Sequence, residues 1–156
     1  MLETVLKRFE EPDEVRKFEK GKFELVRIGG MTIGRATYEP GWKWSVHVGP
    51  GVGAQRCNVE HVGLVLSGCA TAAMEDGTIH ELRAGTLFYI PPGPPGHDSW
   101  VVGDAPYISL HFLGADHYAS KGTPPVQLGC ERSATGPHPQ VRSDRGFTHR
   151  ALGLAQ

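Results

Sequence analysis

Glycine and proline punctuate this chain at short, nearly even intervals, and that punctuation limits what it can fold into. Turn signals fall at Gly29-Gly30, Pro40-Gly41, Gly49-Pro50-Gly51, Ser67-Gly68, Asp76-Gly77, Ala84-Gly85, Pro91 to Gly96 and Gly103-Asp104. With 21 glycines and 12 prolines in 156 residues, little room is left for a long helix. Between the turns lie short runs: KFELVRI, MTIGRATYE, WKWSVHV, VGLVLSG, CATAAME, TIHELR, TLFYI, SWVV and YISLHF. Short strands at this spacing predict an all-β sandwich or barrel. Asp76-Gly77 predicts a two-residue hairpin. The exception is PDEVRKFE, residues 12–19, where Pro12 opens an expected short helix.

One of these strands carries unusual chemistry. In CNVEHVGLVLSG, alternation puts Cys57, Val59, His61, Gly63 and Val65 on one face, and Asn58, Glu60, Val62, Leu64 and Leu66 on the other. A thiol and an imidazole therefore point the same way. Both faces are also apolar beyond Glu60, so each is expected to be covered, one of them by the chain's own second sheet or by another subunit. A homodimer is the expectation.

Charge excludes some partners. Lys and Arg number 16 against 17 Asp and Glu, a net charge of -1, so neither nucleic acid nor an anionic membrane is an expected partner. Gly49-Pro50-Gly51-Val52-Gly53 lacks the Lys-Ser/Thr of a phosphate loop. The N-terminus, MLETVLKRFEEPDEVRKFEK, has no apolar core of a signal peptide, and no run approaches a membrane span. Cys57, Cys69 and Cys130 make an odd count that suits reduced thiols, so the expected location is the cytoplasm. From Ala119 onward the sequence loses all periodicity, which divides the chain into a domain over 1–118 and a tail over 119–156, flexible or wrapped on a partner.

Two blocks together resemble the paired motifs of the cupin superfamily. The first is GWKWSVH, residues 41–47, followed by Gln55, Cys57, His61 and Gly68; the second is GTLFYIPPGPPGH, residues 85–97. Gly85, Pro91, Gly93 and His97 match the second motif, with one extra residue before the histidine. In the first, Gln55 and Cys57 stand at the two histidine positions and His61 at the glutamate position. The likeness covers about residues 20–115, and extends to small single-domain bacterial cupins through GWKWS, CNVEHVGLVLSG and GHDSWVVGD. It implies an antiparallel β-barrel of jelly-roll type over about residues 22–113, with the Cys57/His61 face turned into its lumen.

The resemblance also implies a site: Cys57, His61 and His97 converging on a divalent transition metal, with zinc, iron or copper suited to a thiolate and two imidazoles. Gln55, Tyr89, Trp100 and His111 are candidate pocket residues. The plainer reading makes Cys57 a small buried hydrophobe and His61 a satisfied core histidine. Parity gives His111 the polar face of its strand with Tyr107 and Ser109, and Ile108, Leu110 and Phe112 the apolar one, so His111 is expected at the pocket rim or in solvent. Asp98 is a candidate for orienting an imidazole. The expected function is a pocket for a small-molecule ligand beside the metal. The alternatives are a metal-dependent enzyme such as a dioxygenase or isomerase, and a metal-free acid–base enzyme using His61 or His97 with Tyr89.

Overall fold

The computed structural model describes residues 3–121, in which antiparallel strands form two sheets. The strands are β1 (Glu14–Phe18), β2 (Gly21–Ile28), β3 (Met31–Tyr38), β4 (His61–Ser67), β5 (Cys69–Met74), β6 (Ile79–Arg83), β7 (Leu87–Ile90), β8 (His97–Asp98) and β9 (Tyr107–Leu113). One sheet has the order β1-β2-β3-β9-β4-β7 and the other β6-β5-β8. They are separate sheets, a sandwich in place of the closed barrel expected from the sequence. Residues 122–156, with Cys130 and most of the expected tail, lie outside the described residues.

The expected helix at 12–19 is a strand. Residues Glu14 to Phe18 pair with Leu25 to Gly21 of β2 around a tight turn in which Lys20 takes φ 61°. Two turns of isolated helix gain little in water, whereas this segment has a whole strand edge to pair with. Burial alternates along it, so Arg16 and Phe18 face inward together as period 2 requires. Gly21 has no Cβ because one would stand 2.8 Å from Phe18 Cε2.

The WKWSVHV run is likewise not a strand. It forms one helical turn, α1 (Trp44–His47), and a second, α2 (Gly49–Val52), follows it. Strand parity would put Trp42, Trp44 and Val46 on one face; in fact the two tryptophans are buried and Val46 is 59% exposed. Helical spacing explains it, because Trp44 and Val48, four apart, are the buried pair. The Asp76-Gly77 hairpin joins β5 to β6 through Glu75, Asp76, Gly77 and Thr78, with Gly77 at φ 88°, a four-residue connection in place of the expected two.

The core lies between the sheets and is built from Phe23, Leu25, Trp42, Val65, Phe88 and Tyr107, among others. On the outward side of β2 and β3 the N-terminal arm lies across the sheet: Arg35 donates to the Phe9 carbonyl at 3.2 Å and stands over the Phe9 ring. Beneath it Glu24 is buried and accepts from Arg35 (2.8 Å) and Lys22 (2.8 Å). Burial pushes its carboxyl up, but those two hydrogen bonds and charges outweigh it and hold the group below 4.5. A depressed carboxyl stabilises the fold above its unfolded value and ceases to do so as pH falls through the folded one. The thermal midpoint should therefore drop below pH 4.5 more steeply in the natural protein than in Glu24→Gln; parallel curves would remove Glu24 from the acid response.

Candidate metal centre

Backbone pairing brings the first two side chains of the site together. Cys57 N–H donates to the His97 carbonyl at 2.8 Å, and His97 N–H donates to the Cys57 carbonyl at 3.0 Å. Residues that exchange both bonds in an antiparallel pair present their side chains on the same face. Gly96 makes this approach feasible: at φ 77° it suits glycine, and a Cβ there would stand 2.6 Å from the Cys57 oxygen. The Pro91 to Gly96 bend thus serves to deliver His97 against Cys57.

His61 opens β4, opposite Ile90 of β7, and is 2% exposed. Strand geometry starts only there; before it Cys57 is buried and Asn58 exposed, as the alternation read from the sequence expects, whereas Val59 and Glu60 are both half-buried. Cys57 Sγ lies 3.4 Å from His61 Nε2, and the His61 and His97 rings meet edge-on with centroids 5.3 Å apart. Donor atoms of Cys57, His61 and His97 all lie within 4.8 Å of one another.

His111 completes the buried imidazole group. It faces inward from β9 with Tyr107 and Ser109, and its ring is 5.2 Å from that of His61. Its strand neighbours across the sheet are glycines on both sides, Gly34 and Gly63. The space they leave is filled by Phe23 and Phe88, which meet the imidazole at 72° and 74°. Ser109 Oγ stands 3.1 Å from His111 Nε2. Tyr118, reached by the segment after β9, packs on His61 and shares a 2.7 Å hydrogen bond with the Tyr38 hydroxyl. Arg16 secures that segment by donating to the carbonyls of Ala115 and Tyr118.

Burial governs the protonation of the group. It pushes the Cys57 thiol up to about 12 and takes the imidazoles of His97 and His111 down to about 4, with His61 lower than its ordinary value for the same reason. At neutral pH the imidazoles are therefore uncharged, the state in which a ring nitrogen offers its lone pair to a metal. The Nδ1 atoms of His61, His97 and His111 are buried without a hydrogen-bond partner among the described residues. Buried polar atoms are ordinarily satisfied, and these three line one cavity together with the unpartnered indole N–H groups of Trp42 and Trp44.

The donor set suits a transition metal. A tetrahedral zinc with Zn–S near ~2.3 Å and Zn–N near ~2.0 Å sets an S···N edge of about 3.5 Å. The observed 3.4 Å between Cys57 Sγ and His61 Nε2 already has that length. A donor atom of His97 lies within 4.8 Å of the other two, on the third corner of that face.

The other candidate residues lie elsewhere. Gln55 is exposed and lines an outer groove with Ser45, Pro50 and Asp98. Tyr89 is 60% exposed on the outward side of β7 and donates to Glu60 at 3.0 Å. Trp100 is half-buried and bridges to Lys43, whose ammonium stands 5.4 Å from the ring centroid. None of the three lines the inner cavity. Asp98 accepts from the backbone and hydroxyl of Ser45 and from Ser99 N–H, so it fixes α1 and not an imidazole. Tyr118 and Trp44 were missed. Tyr118 stood at the edge of the aperiodic region, and Trp44 in a run read with the wrong period.

Two cavities flank the cluster. The inner one, about 30 Å³, is lined by His61, His97, His111, Tyr38, Phe88 and Tyr118, among others. The outer one, about 550 Å³, is bordered by Trp44, Val52, Arg56, Cys57, Val59 and Leu113, among others.

No family model matches the chain, and no curated protein matches it. Solved structures do. A Rhizobium leguminosarum protein of unknown function superposes with a TM-score of 0.51 at 18% identity, over 70% of this chain and 95% of the other. AerE from Microcystis aeruginosa gives 0.48 at 16% identity over 65% of this chain and 45% of its own. A Bacillus subtilis oxalate decarboxylase with Mn(II) centres gives 0.45 at 21% identity over 70% of this chain and 29% of the enzyme. The chain thus spans under a third of that enzyme's length. At these identities the likeness is one of fold.

Proposed function

Starting from a cupin-superfamily fold with a thiol and imidazoles converging in its interior, we propose that the protein binds a divalent transition metal through Cys57, His61 and His97 and a small organic ligand beside it. The observation that carries this reading is the convergence of one donor atom each from Cys57, His61 and His97, all buried, within 4.8 Å of one another. One thiolate and two imidazoles favour zinc, with iron and copper as the competing ions.

Bound there, the metal supplies a Lewis acid with an open position. The protein's own residues set what reaches it. The inner cavity of about 30 Å³ has the volume of a single water in the liquid. An organic ligand therefore belongs in the outer cavity of about 550 Å³, within the range of small-molecule sites, where Cys57 forms part of the wall. That wall is mostly apolar and carries both a cation, Arg56, and a carboxylate, Glu60. It suits a ligand with an apolar body and a small polar group. The aromatic and histidine packing around His61 excludes bulk water from the metal side.

The reading is of a ligand-binding metal protein. The metal-free acid–base route loses its proposed donor, with Tyr89 on the outward face. No helix among the described residues is long and apolar enough to cross a membrane. Cys57 and Cys69 form no disulfide, and a cysteine ligand must stay reduced, which supports a cytoplasmic location.

Elemental analysis of protein grown with supplemented metals tests this. One transition-metal ion per chain is expected, and removing it with a chelator should lower the thermal midpoint, because a ligand bound only by the folded state stabilises it. A chain that carries no transition metal and shows no shift on zinc addition would end the proposal.

A further inference from the structure

The wall of the inner cavity carries more hydrogen-bond donors than acceptors. Trp42 and Trp44 both line it, and their indole N–H groups are buried without a partner among the described residues. An indole nitrogen only donates, so neither group can satisfy the other. Tyr38 and Tyr118 share a single 2.7 Å hydrogen bond, which uses one of their two hydroxyl protons and leaves one over. Ser109 Oγ partners Nε2 of His111, so the proton of that neutral ring is free to sit on the unpartnered Nδ1. Ser99, also on the wall, already spends its hydroxyl proton on the Thr71 carbonyl at 2.6 Å.

No carboxylate lines the cavity to oppose a negative charge. Asp98, next to His97 in the chain, is turned to the Ser45 hydroxyl and the Lys43 ammonium. The Cys57 thiol, 3.4 Å from His61 Nε2, is kept protonated by burial. A water held here would satisfy two donors and then need two acceptors for its own protons. An anion accepts from every side and donates nothing, and hydrogen bonds to a charged acceptor are about twice as strong as neutral ones. The volume of about 30 Å³ sets the size of the occupant near that of one water and excludes an organic acid.

We infer that the inner cavity binds a small inorganic anion of the halide class, held by the indoles of Trp42 and Trp44, the hydroxyl of Tyr118 and the ring N–H of His111. These four donors are separate from the three residues assigned to the metal, so the anion site stands whether or not a metal is bound.

Bromide is the probe, because it quenches tryptophan emission on contact and scatters anomalously. The sample is the full chain with Trp100→Phe, treated with a chelator, so that emission comes from Trp42 and Trp44 alone. At constant ionic strength its emission should fall along a saturating curve. Trp42→Phe or Trp44→Phe added to it should each weaken bromide by about 10-fold or more, the remaining indole serving as reporter. Crystals of the natural protein grown with bromide give a reading free of any substitution: an anomalous peak within hydrogen-bond reach of both indole nitrogens. Because the titration contains no metal, its failure and the failure of the metal centre are separate results. A linear quenching plot, or bromide density confined to the outer cavity or the surface, overturns the inference.

Discussion

His61→Ala and His97→Ala should each abolish stoichiometric metal binding while leaving the two sheets folded. The imidazoles are separate donors to one centre, and a site reduced to two ligands loses both charge compensation and geometry, so affinity should fall by more than about 100-fold. The folded state should tolerate the change. Each substitution removes a ring whose Nδ1 is already unpaired, so lost packing is partly offset by the removal of an unsatisfied polar atom, and the net cost is about 1–2 kcal/mol. Cys57→Ser should shift preference away from zinc and other thiophilic ions, because oxygen is the harder donor. Metal titration with circular dichroism on the same samples separates binding from folding. Full occupancy in either histidine variant would take that residue out of the centre.

The second large effect is on stability. Gly63→Ala should destabilise the protein by about 3 kcal/mol or more, at the upper end of what overpacking costs. A Cβ at Gly63 would stand 2.4 Å from the Leu110 carbonyl oxygen and 2.4 Å from Phe88 Cζ. The first of these is backbone of the neighbouring strand and cannot yield without breaking the β4–β9 ladder. The second is held against His111. Gly51→Ala is the control, since a Cβ there meets nothing within 4 Å and Gly51 needs no positive φ; it should change stability by less than about 0.5 kcal/mol. Urea midpoints of the two variants decide the matter. Equal midpoints would mean that the glycine gap beside His111 is not required.

Turn chemistry made the all-β class legible, because Gly and Pro acted locally where the fold needed them. Face assignment was another matter. The Cys57/His61 face was correctly turned inward, since a thiol and an imidazole are followed there by Gly63 and Val65, and the glycine–proline bend pointed to His97. Parity alone failed on β9. Its Tyr, Ser and His positions look solvent-facing in one dimension, and only the cross-strand register shows Gly34 and Gly63 making room for His111. The same habit of reading apolar as inward hid the outer face of Ile108, Leu110 and Phe112. Residues 12–19 were misread because a charged, proline-led segment has no strong period of its own, and its pairing with β2 decided its structure. In the tryptophan run, period 2 fails because a single helical turn brings Trp44 and Val48, four apart, to the buried side. Long-range pairing, not local preference, settled each of these cases.

The most direct test of the centre is the anomalous difference density at the zinc edge in crystals of zinc-loaded protein. One peak per chain is predicted, about 2.3 Å from Cys57 Sγ and about 2.0 Å from a ring nitrogen of each of His61 and His97. A peak bound elsewhere, or a loaded crystal in which the Cys57 sulfur and the two imidazoles hold no metal, would contradict the account.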